Sequence, residues 1–355
     1  MPSNRRFASA PPRKDISSRP GEARIGPITP LPQVLKELGV SPTQAFQQAG
    51  IPDTLFDSPE NRLSYESFGR ILMVCMELTG RADFGLLLGS KFRLESLGQL
   101  GVLMKISATV REALRVLILN LRYYDRFAFS FLLKPAPDKV LLGYSFELPA
   151  VRSTPVFYDL VIAIAFRILR QVCGPTWKAS IVHFSHSRPN NLIPYRRLFG
   201  PNVRFDQEIS GVLFDTTWLG QAMPGADAAK WQRLNQEIQA NQSRLPLSFA
   251  EEVQTVLHQM VLTGKTAAGD IANLFDISER TLRHRLRNEG TSMQRLLADT
   301  RHELARHLLL NTNLPVSKIS ANLGFAEPAT FSRAFRNWAG TSPRQWRKEN
   351  TEASR

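Results

Sequence analysis

GDIANLFDISERTLRHRLRNEG (269–290) and PVSKISANLGFAEPATFSRAFRNWAG (315–340) share one design. Each reads as a short apolar helix, a tight turn and a second helix with one apolar and one polar side. In the first, Ile271, Ala272 and Leu274 form the apolar side of the leading helix, and Asp276-Ile277-Ser278 makes the turn. Ser278 can cap the next helix, because its hydroxyl accepts from the unpaired backbone N–H groups of a first turn. Leu282, Leu286 and Glu289 then lie on one side, and Arg280, Arg283, His284 and Arg287 on the other, at spacings i, i+3, i+4 and i+7. In the second stretch Val316, Ile319 and Leu323 pack the leading helix. Gly324 suits the left-handed backbone of a helix end, and Pro328 suits a first helical position. Phe331, Phe335 and Trp338 recur at i, i+4 and i+7 as core, which leaves Ala329, Ser332, Arg333 and Arg336 exposed, with Thr330 beside them.

A basic helix pinned from behind is what insertion into a DNA major groove requires. Arginine donates in bidentate fashion to guanine edges, and a small residue such as Ala329 or Thr330 can meet a thymine methyl. The same charges on a merely solvated face are the alternative. Between the two stretches lies SMQRLLADTRHELARHLLLNT (292–312), without glycine or proline. A helix of about 20 residues is roughly 30 Å long, close to the ~34 Å between successive major-groove faces. The connector therefore predicts two reading helices on one side of the duplex, with a slight DNA bend.

Residues 315–347 resemble the signature of the AraC/XylS family of bacterial regulators. The matched positions are Ile319, Ala321, Leu323, Gly324, Phe325, Phe331, Arg333, Ala334, Phe335, Gly340, Pro343 and Arg347. The resemblance runs from about 249 to 348. SERTLRHRLRNEG (278–290) is similar to a subgroup with a large N-terminal, arabinose-binding-like effector domain; there an opening PLPQVLKELGV-like helix and a mixed α/β body resemble residues 30–220. Trp346 stands where the family usually has Tyr or Phe, and Glu327 where a Ser or Asp cap is usual. The resemblance implies Arg280, Arg283 and His284 as base readers of the first unit and Ala329, Thr330 and Arg333 as those of the second. It further implies a homodimer, a small-molecule effector, and activation through RNA polymerase at promoter DNA, though some members repress.

The charge supports a polyanionic partner. The net charge is +14, and residues 264–348 hold 14 Lys/Arg against 7 Asp/Glu, while residues 1–24 hold 6 against 2. Such asymmetry favours nucleic acid or an anionic surface. Residues 1–24 are rich in Pro, Ser and Arg and predict a disordered basic tail. Arg5 and Arg6 lead no apolar run, so no secretory leader is expected. VFYDLVIAIAFRIL (156–169) contains Asp159 and Arg167 and is too short to span a bilayer. Two cysteines, Cys75 and Cys173, in apolar patterns predict buried reduced thiols and a cytoplasmic protein.

The organisation predicted is a sensing and dimerisation domain at 25–225, a connecting helix and linker at 226–246, a DNA-binding domain at 247–350 and a tail at 351–355. The fold class is α+β, a mixed α/β N-terminal domain, followed by an all-α C-terminal domain with two helix-turn-helix units joined by a linker helix. Helices are expected at 31–39, 42–49, 64–79, 81–90, 109–124, 156–173 and 227–243. Strands are expected at 127–133, 139–148, 181–186, 202–206 and 211–215. Ser64 and Thr109 are the expected caps. Tyr123, Tyr124, Arg126, Tyr144 and Trp177 are candidates to line an effector pocket, though ordinary core and rim roles suit them as well.

No cofactor, metal or catalytic residue is expected. His302 and His307 are five apart on a helix and point about 140° apart, and His183 and His186 face opposite sides of a strand. GLLLGS (85–90) is a helix end rather than a phosphate cradle. The leading expectation is an effector-responsive, sequence-specific transcriptional activator. The alternatives are a ligand-independent dimeric regulator or repressor, a nucleoid-type binder and an enzyme fused to a nucleic-acid module.

Overall fold

A computed structural model describes residues 22–125, 128–146, 155–207, 209–242, 248–261, 266–275, 277–311 and 314–352. The N-terminal body runs β1 (Glu22–Arg24), α1 (Leu31–Glu37), α2 (Pro42–Ala49), β2 (Arg62–Ser64), α3 (Tyr65–Thr79), α4 (Phe84–Ser90), α5 (Gln99–Lys105) and α6 (Val110–Tyr124). It continues with β3 (Ala128–Ala136), β4 (Lys139–Phe146), α7 (Pro155–Cys173), β5 (Ile181–His183), α8 (Ile193–Phe199), β6 (Val203–Arg204), β7 (Gly211–Asp215) and α9 (Ala228–Gln242). The rest is helical: α10 (Phe249–Val261), α11 (Ala268–Leu274), α12 (Glu279–Asn288), α13 (Met293–Asn311), α14 (Val316–Asn322), α15 (Pro328–Ala339) and α16 (Pro343–Glu352). The mixed α/β body followed by an all-α region is the expected class.

Five strands form a sheet in the order β3-β4-β7-β5-β6, and β1 pairs with β2 in a separate ribbon. The pairings in the larger sheet are antiparallel except β5 with β6. Helix α7 is apolar nearly all round and is buried along almost its whole length. Helix α4 reaches it through glycine. A Cβ on Gly85 would sit 2.1 Å from the Val156 carbonyl oxygen, and one on Gly89 would sit 2.5 Å from the Ala163 Cβ. Trp177 is fully buried and stacks edge-on against Phe166 and Phe214, at 5.3 and 6.0 Å between ring centres. Burying each such ring contributes roughly 1.5–3 kcal/mol.

The caps follow the sequence. Ser64 Oγ accepts from the Ser67 N–H at 3.2 Å, and Thr109 Oγ1 accepts from the Glu112 N–H at 3.2 Å. Three expectations change. The strand expected at 181–186 ends at His183, where the pairing with β7 and β6 stops. Residues 22–24, assigned to the tail by composition, form β1, because pairing with Arg62–Ser64 satisfies their backbone; residues 1–21 lie outside the described residues. The strand expected at 202–206 pairs only over Val203–Arg204, and Asp206 then turns to a positive φ of 56°. Helix α9 docks through the thin apolar stripe of Trp231, Leu234 and Ile238, which suits a helix–helix contact. Ile238 is 3% exposed, Trp231 and Leu234 pack on the N-terminal core, and Trp231 Nε1 donates to Ser107 Oγ at 3.2 Å.

Cys75 and Cys173 are buried free thiols, and burial pushes both up to about 12. Among the described residues no helix is long and apolar enough to cross a membrane.

Candidate DNA interface and effector cavity

The first reading unit is built from α11 and α12. Ser278 Oγ accepts from the Thr281 N–H at 3.2 Å and so starts α12. Leu282 and Leu286 are fully buried and meet Ile271 and Ala272 of α11, Val253 and Leu257 of α10 and Leu296 of α13. Leu274, expected in that apolar side, is 62% exposed. Phe275 packs there instead, 5.3 Å from the Phe249 ring. Arg280, Arg283, His284 and Arg287 are all exposed. Arg283 reaches back to Glu279 at 2.7 Å, an exposed i,i+4 pair that a phosphate or base can displace at small cost. Arg285 turns aside, 5.3 Å over the Phe249 ring. Glu289, on the side of Leu282 and Leu286, is exposed, and its carboxylate accepts from the N–H groups of Phe249 and Ala250 at 2.9 and 2.7 Å. That charge suits the positive N-terminal end of α10 and ties α12 to it.

The second unit is built from α14, α15 and α16. Phe331 and Phe335 are fully buried with Ile319 and Leu323. Gly324 takes the left-handed backbone with φ of 73°. Arg301 of α13 donates through Nε to the Leu323 carbonyl at 2.9 Å and lies 4.8 Å over the Phe325 ring. Arg347 of α16 donates to the carbonyls of Leu309 and Leu314 at 3.1 and 2.7 Å, closing the unit behind. His302 lies 5.4 Å from the Trp338 ring and 5.8 Å from Phe335. Burial, helped by Arg306, holds its pKa below the ordinary 6.5. Glu327 makes no side-chain cap on α15, and Pro328 opens the helix instead. Ala329, Thr330, Arg333 and Arg336 are exposed. Ser332 is half-buried, and its hydroxyl donates to the Pro328 carbonyl at 2.9 Å.

Two helices join the units. Helix α13 gives Leu296 to the first core and Leu304, Ala305, Leu308 and Leu309 to the second. Helix α10 gives Val253 and Leu257 to the first and Val261 to the second. The connector is legible in the sequence; the second strut, α10, carries no local pattern that marks this role. With 19 residues, α13 is about 28 Å long at 1.5 Å per residue.

A second feature lies in the N-terminal body. A cavity of about 110 Å³ opens between β3 and β4 on one side and α3, α6 and α7 on the other. Its walls include Leu117, Leu121, Leu142, Phe157, Leu160 and Ile164. Its polar groups include Arg24, Asp125, Ser130 and Tyr144. Ser130 and Tyr144 are opposite each other in the β3–β4 register. Ser130 is 6% exposed, and its Oγ has no hydrogen-bond partner among the described residues. Burial, with Asp125 next in effect, keeps the Tyr144 phenol neutral. Arg24 is ion-paired with Glu60.

Of the five effector candidates from the sequence, the structure places Tyr144 in this cavity. Trp177 is a core residue away from it. Tyr123 and Tyr124 occupy the last turn of α6 with side chains outside the described residues, and Arg126 lies outside them too. The lining that sequence reading missed comes from segments far apart in the chain, so no local pattern marks it. His186 Nε2 lies 3.1 Å from Asp159 Oδ1, and the other oxygen of that carboxylate accepts from the Tyr195 hydroxyl. No cluster of three or more potential metal ligands occurs among the described residues.

Residues 39–223 match the arabinose-binding domain of AraC transcription regulators, the N-terminal one. Residues 271–349 match a helix-turn-helix domain. The chain is 28% identical over 324 residues to the ornithine utilization regulator of Pseudomonas aeruginosa, covering 89% of this chain and 93% of that one. It is 26% identical over 315 residues to the HTH-type transcriptional regulator VirS of Mycobacterium tuberculosis, covering 88% and 93%. Over 98 residues, 28% of this chain and 29% of the relative, it is 38% identical to the transcriptional activator NphR of a Rhodococcus species. The chain therefore belongs to the AraC family of transcription regulators, joining an N-terminal domain of the arabinose-binding kind to a helix-turn-helix DNA-binding region.

Proposed function

We propose that α12 and α15 enter two successive major grooves on one side of a promoter. The observation that carries this reading is the shared spine. Two exposed faces, Arg280, Arg283, His284 and Arg287 on one and Ala329, Thr330, Arg333 and Arg336 on the other, are backed by cores that both take residues from α13. Ser332 supports the second face from its edge. The ~28 Å length of α13 is slightly short of the ~34 Å groove repeat, so docking both helices bends the duplex a little.

Residues 25–225 form the sensing and dimerisation domain in this reading, and 247–350 the DNA-binding domain. Helix α9 is packed on the sensing body, so transmission runs through the link from Gln242 to Phe249 and through β3, which α10 approaches closely. The protein acts as a cytoplasmic homodimer that activates transcription through RNA polymerase; the likeness to NphR, a transcriptional activator, supports activation over repression. The effector biases the dimer or the α10 contact, and regulation rather than turnover is its outcome.

Competition binding with the full chain tests sequence-specific binding. Promoter fragments selected from the genome by the protein should hold it about 10³-fold or more better than random duplex of equal length at physiological salt. Equal competition by random DNA would make the protein a nucleoid-type binder.

A further inference from the structure

We propose that the cavity behind β3 and β4 binds a small amphipathic molecule. Its apolar body is a single ring or short chain, and it carries one hydroxyl or carbonyl group that meets Ser130 Oγ. This inference rests on the reading of residues 25–225 as a sensor and names the chemistry sensed.

Size sets the first limit. The 110 Å³ cavity is of the order of the ~150 Å³ apolar cavity that admits benzene. The lining sets the second. Leu117, Leu121, Phe157, Leu160 and Ile164 offer no hydrogen bond to a ligand. A sugar would lose water from several hydroxyls against these walls, and each hydroxyl left without a partner there weakens binding. A diamino acid would bring two ammonium groups to a space in which Asp125 is the one carboxylate among the described lining residues. A ligand carboxylate gains little from Arg24, which Glu60 already neutralises.

Ser130 sets the third limit. A buried hydroxyl without a protein partner is costly, and it can both donate and accept. It can meet one polar group of a ligand in a mostly apolar space, with the neutral Tyr144 phenol on the neighbouring strand. Strand β3, which carries Ser130, is also the strand that α10 approaches, and α10 supplies Val253 and Leu257 to the first reading core. Occupying the cavity therefore loads the strand that touches the DNA-binding region.

The test uses the full chain, with benzyl alcohol, 1-hexanol, toluene, arabinose and ornithine as probes in thermal-shift and calorimetric titrations. Benzyl alcohol or 1-hexanol should give saturable stabilisation, with benzyl alcohol above toluene. Ser130→Ala should remove that advantage, about fivefold to tenfold in affinity, while toluene binding persists. Ile164→Trp should fill the cavity and abolish binding of all apolar probes. Absence of binding by both alcohols overturns the proposal, as does an undiminished alcohol preference in Ser130→Ala, and these wild-type and near-isosteric readings stand even where the tryptophan variant fails to fold. If arabinose or ornithine binds instead, the ligand class is wrong and the sensor reading survives. If none of the five binds and a folded Ile164→Trp protein keeps unchanged DNA affinity, both fall.

Discussion

Asp299→Pro is expected to weaken cognate DNA binding on the order of a hundredfold while leaving each reading unit folded. Asp299 is exposed in the middle of α13, between Leu296 of the first core and Leu304 of the second. Proline there removes one backbone N–H, and its ring clashes with the carbonyl one turn earlier, a cost of about 3 kcal/mol or more. Relief comes by kinking the helix. The two cores keep their own contacts, but the faces of α12 and α15 lose their common orientation. Converted at about 1.4 kcal/mol per decade, that cost is the hundredfold loss. Helix α10 still joins the units, so they remain tethered, only misaligned. Asp299→Ala at the same site should bind nearly as the parent, because an exposed carboxylate removed from a helix costs little. Titrations of both variants against the selected promoter check this. Parent-like affinity for Asp299→Pro would mean that the spine does not set the reading geometry.

Arg333→Ala should cost about 1–3 kcal/mol on the cognate site, roughly fivefold to 150-fold, and blur preference at one base position. Arg333 is exposed on α15 beyond the buried Phe331 and Phe335, with Ala329 and Thr330 alongside it to allow close approach to base edges. Arg333→Lys should recover little of the loss, because an ammonium cannot make the bidentate contact of a guanidinium. Binding-site selection on the parent and both variants reads the preference directly. An equal drop on cognate and random DNA, with the salt slope reduced by about one, would instead make Arg333 a phosphate contact.

The DNA-binding region was legible because its rules are local. Ser278 is three residues from the N–H it caps, Gly324 sits at the helix end its backbone serves, and Phe331 and Phe335 are one turn apart. The role of α10 was hidden, since Val253, Leu257 and Val261 give a helical pattern without saying which core each residue joins. Leu274 shows the limit of short patterns. In a seven-residue helix, Phe275 takes the buried direction and leaves the leucine outside. The strand GVLFD coincides with β7, yet β1 is not legible because three residues beside a tail carry no period. The cavity was the least legible part. Arg24, Ser130, Tyr144 and Phe157 converge only through the β3–β4 register and the packing of α7. Aromatic content alone pointed equally to Tyr144, which lines it, and to Trp177, which fills the core.

Hydroxyl-radical footprinting of the full chain on its selected promoter tests the spine most directly. Two protected patches per protomer, about one helical turn apart and on the same side of the duplex, are predicted. A single protected groove per protomer, or two patches on opposite sides, would contradict the account.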